Sequence, residues 1–61
     1  MEPNRKPVVT INYVDGFFTK TYASLEAIQK MMVEQKAFIV TDTEGKVHII
    51  VSQNITHVRE N

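Results

Sequence analysis

The sequence predicts a small α+β domain: a ββ-α-ββ(β) order forming a small antiparallel sheet or partly open barrel packed by one helix. Three observations carry this expectation. Asp15-Gly16 separates two strand-like runs, Leu25, Ile28 and Met32 fall at helical spacing, and Asp42-Thr43-Glu44-Gly45 separates two further apolar runs. Residues 1–7 hold two prolines and no apolar residue after Met1, and read as a flexible N-terminal tail before a single domain over 8–61.

Residues 8–14 are rich in β-branched side chains and read as a strand. Asp15-Gly16 is the short hairpin signal of a type I′ turn, which needs φ > 0 at both central positions. A two-residue loop would pair Val14 with Phe17, Tyr13 with Phe18, Ile11 with Lys20 and Val9 with Tyr22. Val9, Ile11, Tyr13, Phe18 and Tyr22 would then share the core face. Thr10, Asn12, Thr19 and Thr21 would face out, with Val14 and Phe17 at the tip.

Ser24 is the expected N-cap of a helix from Leu25 to about Gln35. Leu25, Ile28, Met31 and Met32, with Gln35 at the end, make its apolar side, and Glu26, Lys30 and Glu34 make its polar side. A helix this short needs a sheet to pack on. Val33 lies off the core stripe.

The second hairpin spans 37–41 and 46–51. Its turn suits a type I turn closed by Gly45 in the left-handed region, a G1-bulge loop; a two-residue Glu44-Gly45 loop is the rival. Phe38, Ile39 and Val40 on one strand, and Val47, Ile49, Ile50 and Val51 on the other, make both strands apolar on both faces. One helix can cover one face. The surplus face, drawn from Phe38, Ile39, Val40, Ile49 and Ile50, is the expected homo-oligomer interface, a dimer being the simplest assembly. Residues 55–59 read as a short closing strand.

Composition narrows the function classes. Seven basic residues balance seven acidic ones, so a nucleic-acid partner is possible but disfavoured. There is no cysteine, so disulfides and thiolate metal sites are excluded. No apolar run approaches the ~20 residues of a membrane span. The N-terminus lacks the apolar stretch of a signal peptide, so the expected location is cytoplasmic and no membrane partner is expected.

Residues 9–17, Val-Thr-Ile-Asn-Tyr-Val-Asp-Gly-Phe, resemble the first motif of the Sm-like family of small β-barrels, in particular its bacterial RNA-chaperone type. Phe38-Ile39-Val40, Glu44-Gly45-Lys46 and Ile49-Ile50-Val51-Ser52-Gln53-Asn54-Ile55-Thr56 resemble its strand–turn–strand ending. The resemblance covers about half the chain and implies a β-rich module that builds rings or larger assemblies by strand pairing. Two departures matter. The family's helix precedes the first strand, and its Lys-His pair, which helps bind RNA, is replaced here by Ser52-Gln53. RNA binding therefore does not carry over residue by residue.

No constellation of catalytic residues stands out, so no enzyme and no cofactor or metal is expected. His48 and His57 lie on different strands without a diagnostic partner, Asp42 and Glu44 suit a turn, and Ser24 suits a cap. Met31-Met32 is either flexible core filler or a soft surface that repacks against a partner. Val14, Phe17, Met31 and Val33 are the candidate partner-binding residues. The leading expectation is a small regulator or inhibitor, of the kind mobile elements carry, that binds an unidentified protein as a homo-oligomer. The alternatives are an Sm-like RNA or single-stranded nucleic-acid binder, with Lys20, Lys36, Lys46 and Arg59 interleaved with Tyr13, Phe17 and Tyr22, and an oligomer that sequesters a ligand between subunits.

Overall fold

The computed structural model describes residues 7–61. Of the predicted tail, residues 1–6 lie outside the described residues. Pro7 is tied down, its carbonyl accepting from the Ala23 N–H at 3.1 Å.

Seven elements follow in order: β1 (Val8–Tyr13), β2 (Phe18–Tyr22), α1 (Leu25–Glu34), β3 (Ala37–Thr41), β4 (Val47–Val51), a 3₁₀ turn (Ser52–Asn54) and β5 (Ile55–Glu60). They form two open antiparallel sheets, β2-β1-β5 and β3-β4, with one helix. The fold is the expected small α+β arrangement. The closing strand pairs with β1, which becomes the centre of the larger sheet. The two sheets meet where Thr21 bridges Asp42, the Thr21 hydroxyl donates to the Thr41 carbonyl at 2.7 Å, and the Thr43 N–H donates to the Lys20 carbonyl at 3.0 Å.

Both hairpins use the same loop. In the second, Gly45 sits at φ +90 and its N–H donates to the Asp42 carbonyl at 3.0 Å, while the Asp42 N–H donates to the Lys46 carbonyl at 2.8 Å. This is the expected type I turn with a G1 bulge. The first hairpin repeats it. Gly16 sits at φ +91 and donates to the Tyr13 carbonyl at 3.0 Å, and the Tyr13 N–H donates to the Phe17 carbonyl at 2.9 Å.

The type I′ expectation for Asp15-Gly16 is therefore corrected. No described non-glycine residue has positive φ, so Asp15 does not supply the first left-handed position that turn requires. The loop gains a residue and the register moves by one: Val9 opposes Thr21, Ile11 opposes Thr19 and Asn12 opposes Phe18. Such a step flips the returning strand. Val9 and Ile11 stay in the core, but Thr19 and Thr21 join them there while Phe18 and Tyr22 turn outward.

The core consists of Val9, Ile11, Ile28, Phe38, Val40 and Ile50, with Tyr13, Ala23, Met31, Met32, Ile55 and Val58 packed around it. Buried threonines are hydrogen-bonded, as burial demands. The Tyr13 hydroxyl donates to Thr19 Oγ1 at 2.6 Å, and Thr10 donates to Asn61 Oδ1 at 2.8 Å. Helix α1 begins as expected, the Ala27 N–H donating to Ser24 Oγ at 3.1 Å. Ile28 is its one buried residue.

Candidate functional site

The β3–β4 hairpin pairs Ala37 with Val51, Phe38 with Ile50, Ile39 with Ile49, Val40 with His48 and Thr41 with Val47. Alternation then decides what is displayed. Phe38, Val40 and Ile50 point into the core, together with the half-buried His48. In the sequence the candidate interface residues leave the parity open, with Ile39 or else Phe38 and Val40 facing out, joined by Ile49 or Ile50; the structure removes Phe38, Val40 and Ile50 from that set, because their parity is the one covered by the rest of the domain. Ile39 and Ile49 remain outside, 65% and 74% exposed, beside Val47 at 67% and the less exposed Val51.

The outward positions of the two strands are thus Ala37, Ile39, Thr41, Val47, Ile49 and Val51, a face without a single ionisable group. Val47 and Val51 had not been singled out as interface. Their parity with Ile49 is the signal that would have placed them there.

Two expected partner-binding residues extend this face. Val14, at the first hairpin tip, lines a shallow depression with Ile49 and Val51, held there by its N–H donating to the Asn54 carbonyl at 2.9 Å. Val33, near the end of α1, shares a groove with Ala37 and Val51. Ser52 also lines that groove and ties its two sides together, its N–H donating to the Lys36 carbonyl at 2.8 Å and its hydroxyl to the Gln35 carbonyl at 2.7 Å. Phe17 is exposed at the tip, whereas Met31 is half-buried against the core. Met31 thus follows the core-filler reading.

A second surface comes from the register of the first hairpin. On the outer face of β2-β1-β5, Lys20 and Arg59 flank Thr10, and Phe18 and His57 flank Asn12, with Tyr22 opposite Val8. Phe18 and Tyr22 are 58% and 54% exposed. The Lys20 ammonium lies 5.9 Å from the centroid of the Phe18 ring. No carboxylate belongs to these positions. Asn12 Nδ2 is buried here without a hydrogen-bond partner. Reading Phe18 and Tyr22 as core hid this surface.

Among the described residues, the charged pair with chemical character is Asp42–His48. Asp42 Oδ2 accepts from His48 Nε2 at 2.8 Å, and Oδ1 accepts the Glu44 and Lys46 N–H groups, each at 2.9 Å. The His48 hydrogen bond, then the Lys46 N–H, hold the Asp42 carboxyl below the usual carboxylate range. Every contact made by this carboxylate pins the turn that joins the two sheets. Among the described residues, no group of three or more His, Cys, Asp or Glu is placed to hold a metal ion. No described helix is long and apolar enough to cross a membrane.

No protein-family model, curated protein or solved structure matches this chain. What the two surfaces can do must be read from their chemistry. The β3–β4 face is apolar and uncharged, and suits burial against another protein surface. The β2-β1-β5 face offers rings and cations, and suits flat, anionic ligands.

Proposed function

We propose that this chain is a non-catalytic interaction module, of the small regulator or inhibitor class, that binds another protein chain through the outer face of β3–β4. The observation that carries this reading is the row Ile39, Ile49 and Val47, 65–74% exposed at strand positions that carry no charge. A free-standing protein seldom leaves a contiguous apolar sheet face in water, and such faces mark interaction sites. The test is capture of a specific host protein by the wild-type chain, compared with Ile49→Lys. The substitution is outward-facing, so its circular dichroism should match wild type while capture is lost. Equal capture by both would refute the assignment of the surface.

A second reading is favoured by the Phe18/Lys20/Tyr22/Arg59/His57 face: a single-stranded nucleic acid whose bases stack on the rings while its phosphates meet the cations. Base–aromatic stacking contributes about 1–3 kcal/mol per base. With two full cations on the face, counterion release is small, and the logarithm of affinity should fall with the logarithm of salt at a slope of only about −1.4. Fluorescence anisotropy with a labelled single strand tests it. Binding weakened by Phe18→Ala and Tyr22→Ala supports it. No binding by wild type at low salt eliminates it, and leaves the expectation from zero net charge standing.

A further inference from the structure

We infer that the occupant of the β3–β4 face is a second copy of this chain, packed face to face about a two-fold axis. The inference rests on the protein-binding reading above and names the partner.

Three observations point to self-pairing. The first is charge. None of the six outward positions of β3 and β4 is ionisable, so the complementary surface must itself be uncharged. The β3–β4 face meets that requirement. The outer face of β2-β1-β5 does not, because it carries Lys20 and Arg59. The second is position. Ile39 and Ile49 oppose each other at the middle residues of their strands. A two-fold axis lying between two such sheets sets Ile39 and Ile49 of one copy against the same pair in the other, the self-complementary arrangement of an isologous interface. Aligned packing of two sheets about 10 Å apart accommodates branched aliphatic side chains interdigitated in this way.

The third is area. Val14, Val33, Ile39, Val47, Ile49 and Val51 offer on the order of 100 Å² each, the apolar area that matches the burial free energy of an aliphatic side chain. Together they make at most about 600 Å² per copy, Val51 contributing least, so the pair approaches the lower bound of specific interfaces, about 1,200 Å² in total. The surroundings fit a polar rim. Asp15 follows Val14, Glu34 follows Val33, Lys36 precedes Ala37 and Lys46 precedes Val47, so both charge signs border the patch. An interface of this size predicts a reversible dimer that forms with rising concentration rather than an obligate one.

The test is sedimentation equilibrium of the full chain over a wide concentration series. The expected result is a mass rising from 7.0 kDa towards twice that value, with Ile39→Lys and Ile49→Lys remaining at monomer mass. A second measurement separates loss of pairing from loss of fold and uses the absence of native cysteine. Ile49→Cys should give a cross-linked dimer with a short bismaleimide, and Gln29→Cys, on the exposed side of α1, should not. A wild-type chain that stays monomeric throughout the series overturns the inference. So does a dimer that survives both lysine substitutions, since another surface would then hold it. A monomeric chain leaves the protein-binding reading standing, with a host protein as the occupant; that reading fails separately only if neither self-association nor capture of a host protein depends on Ile49.

Discussion

Helix α1 has one fully buried side chain, and its truncation should strongly destabilise the fold. Ile28 has 0% exposure and sits among Val9, Ile11, Phe38, Val40 and Ile50, between the two sheets' core residues. Ile28→Ala removes three carbons from that cluster and leaves a cavity. Substitutions of this kind cost about 2–5 kcal/mol. A cysteine-free domain of this size has roughly 3–5 kcal/mol in total. At about 3 kcal/mol, and 4–8 °C per kcal/mol for a domain of this length, the melting temperature should fall by on the order of 15 °C. The comparison variant is Val33→Ala on the same helix. Val33 is 80% exposed, and its substitution should stay within about 0.5 kcal/mol. The assay is urea and thermal unfolding followed by far-UV circular dichroism, at a concentration low enough to keep both proteins monomeric. Equal midpoints for the two variants would show that α1 does not depend on Ile28, and the packing argument would fail.

Three further outcomes are expected. Met32→Asp should destabilise far more than Lys30→Asp, because Met32 is half-buried against the core, where an unpaired charge loses part of its solvation, while Lys30 is exposed; equal melting temperatures would contradict the helix face. Gly16→Ala and Gly45→Ala should each cost about 1–2 kcal/mol through the left-handed φ alone, since no atom lies within 4 Å of either added Cβ; unchanged urea midpoints would contradict the shared loop geometry. Asp42 has a folded-state pKa below its unfolded value of 3.8, so its stabilisation is complete above that value and is lost as pH falls through the folded one. The difference in unfolding midpoint between wild type and Asp42→Asn should therefore shrink as pH falls below about 4, and a difference that stays flat through that range would refute the role given to the carboxylate.

Much of the fold was legible because it is encoded locally. Ser24 before an apolar stripe marked the start of α1, and Asp42 with Gly45 three residues later suited the observed second loop, with a two-residue Glu44-Gly45 loop as its rival. The element order followed. What stayed hidden was parity. In β3 and β4 both alternate sets of side chains are apolar, so no pattern within the strands says whether Phe38, Val40 and Ile50 or Ile39 and Ile49 face the helix. That is settled by where the rest of the domain lies. In the first hairpin the apolar pattern misled. Aligning Phe18 and Tyr22 with Val9 and Ile11 maximises apolar burial, but requires Asp15 to adopt positive φ. The bulge between Asn12 and Tyr13, where β5 inserts Thr56, had no local mark at all.

That misreading bears on function. The type I′ register would have buried two more aromatic rings, each worth about 1.5–3 kcal/mol or more, in a domain that can spare little. The observed register gives up that gain and buries Thr19 and Thr21 instead. The return is structural: Thr21 ties β2 to the end of β3, and Thr19 fixes the Tyr13 hydroxyl. Those hydrogen bonds contribute about 1 kcal/mol apiece, less than the apolar burial forgone. A chain that places Phe18 and Tyr22 in water beside Lys20 and Arg59, when a one-residue shorter loop would have hidden both rings, departs from the local rule on the larger sheet just as it does at Ile39 and Ile49 on the smaller one. Departures of this kind concentrate where a surface is used. The molecule has two such surfaces of opposite chemistry, on different sheets joined at the Thr21–Asp42 bridge. Occupancy of the uncharged face by a second copy would leave the aromatic, cationic face of each copy open to its own ligand.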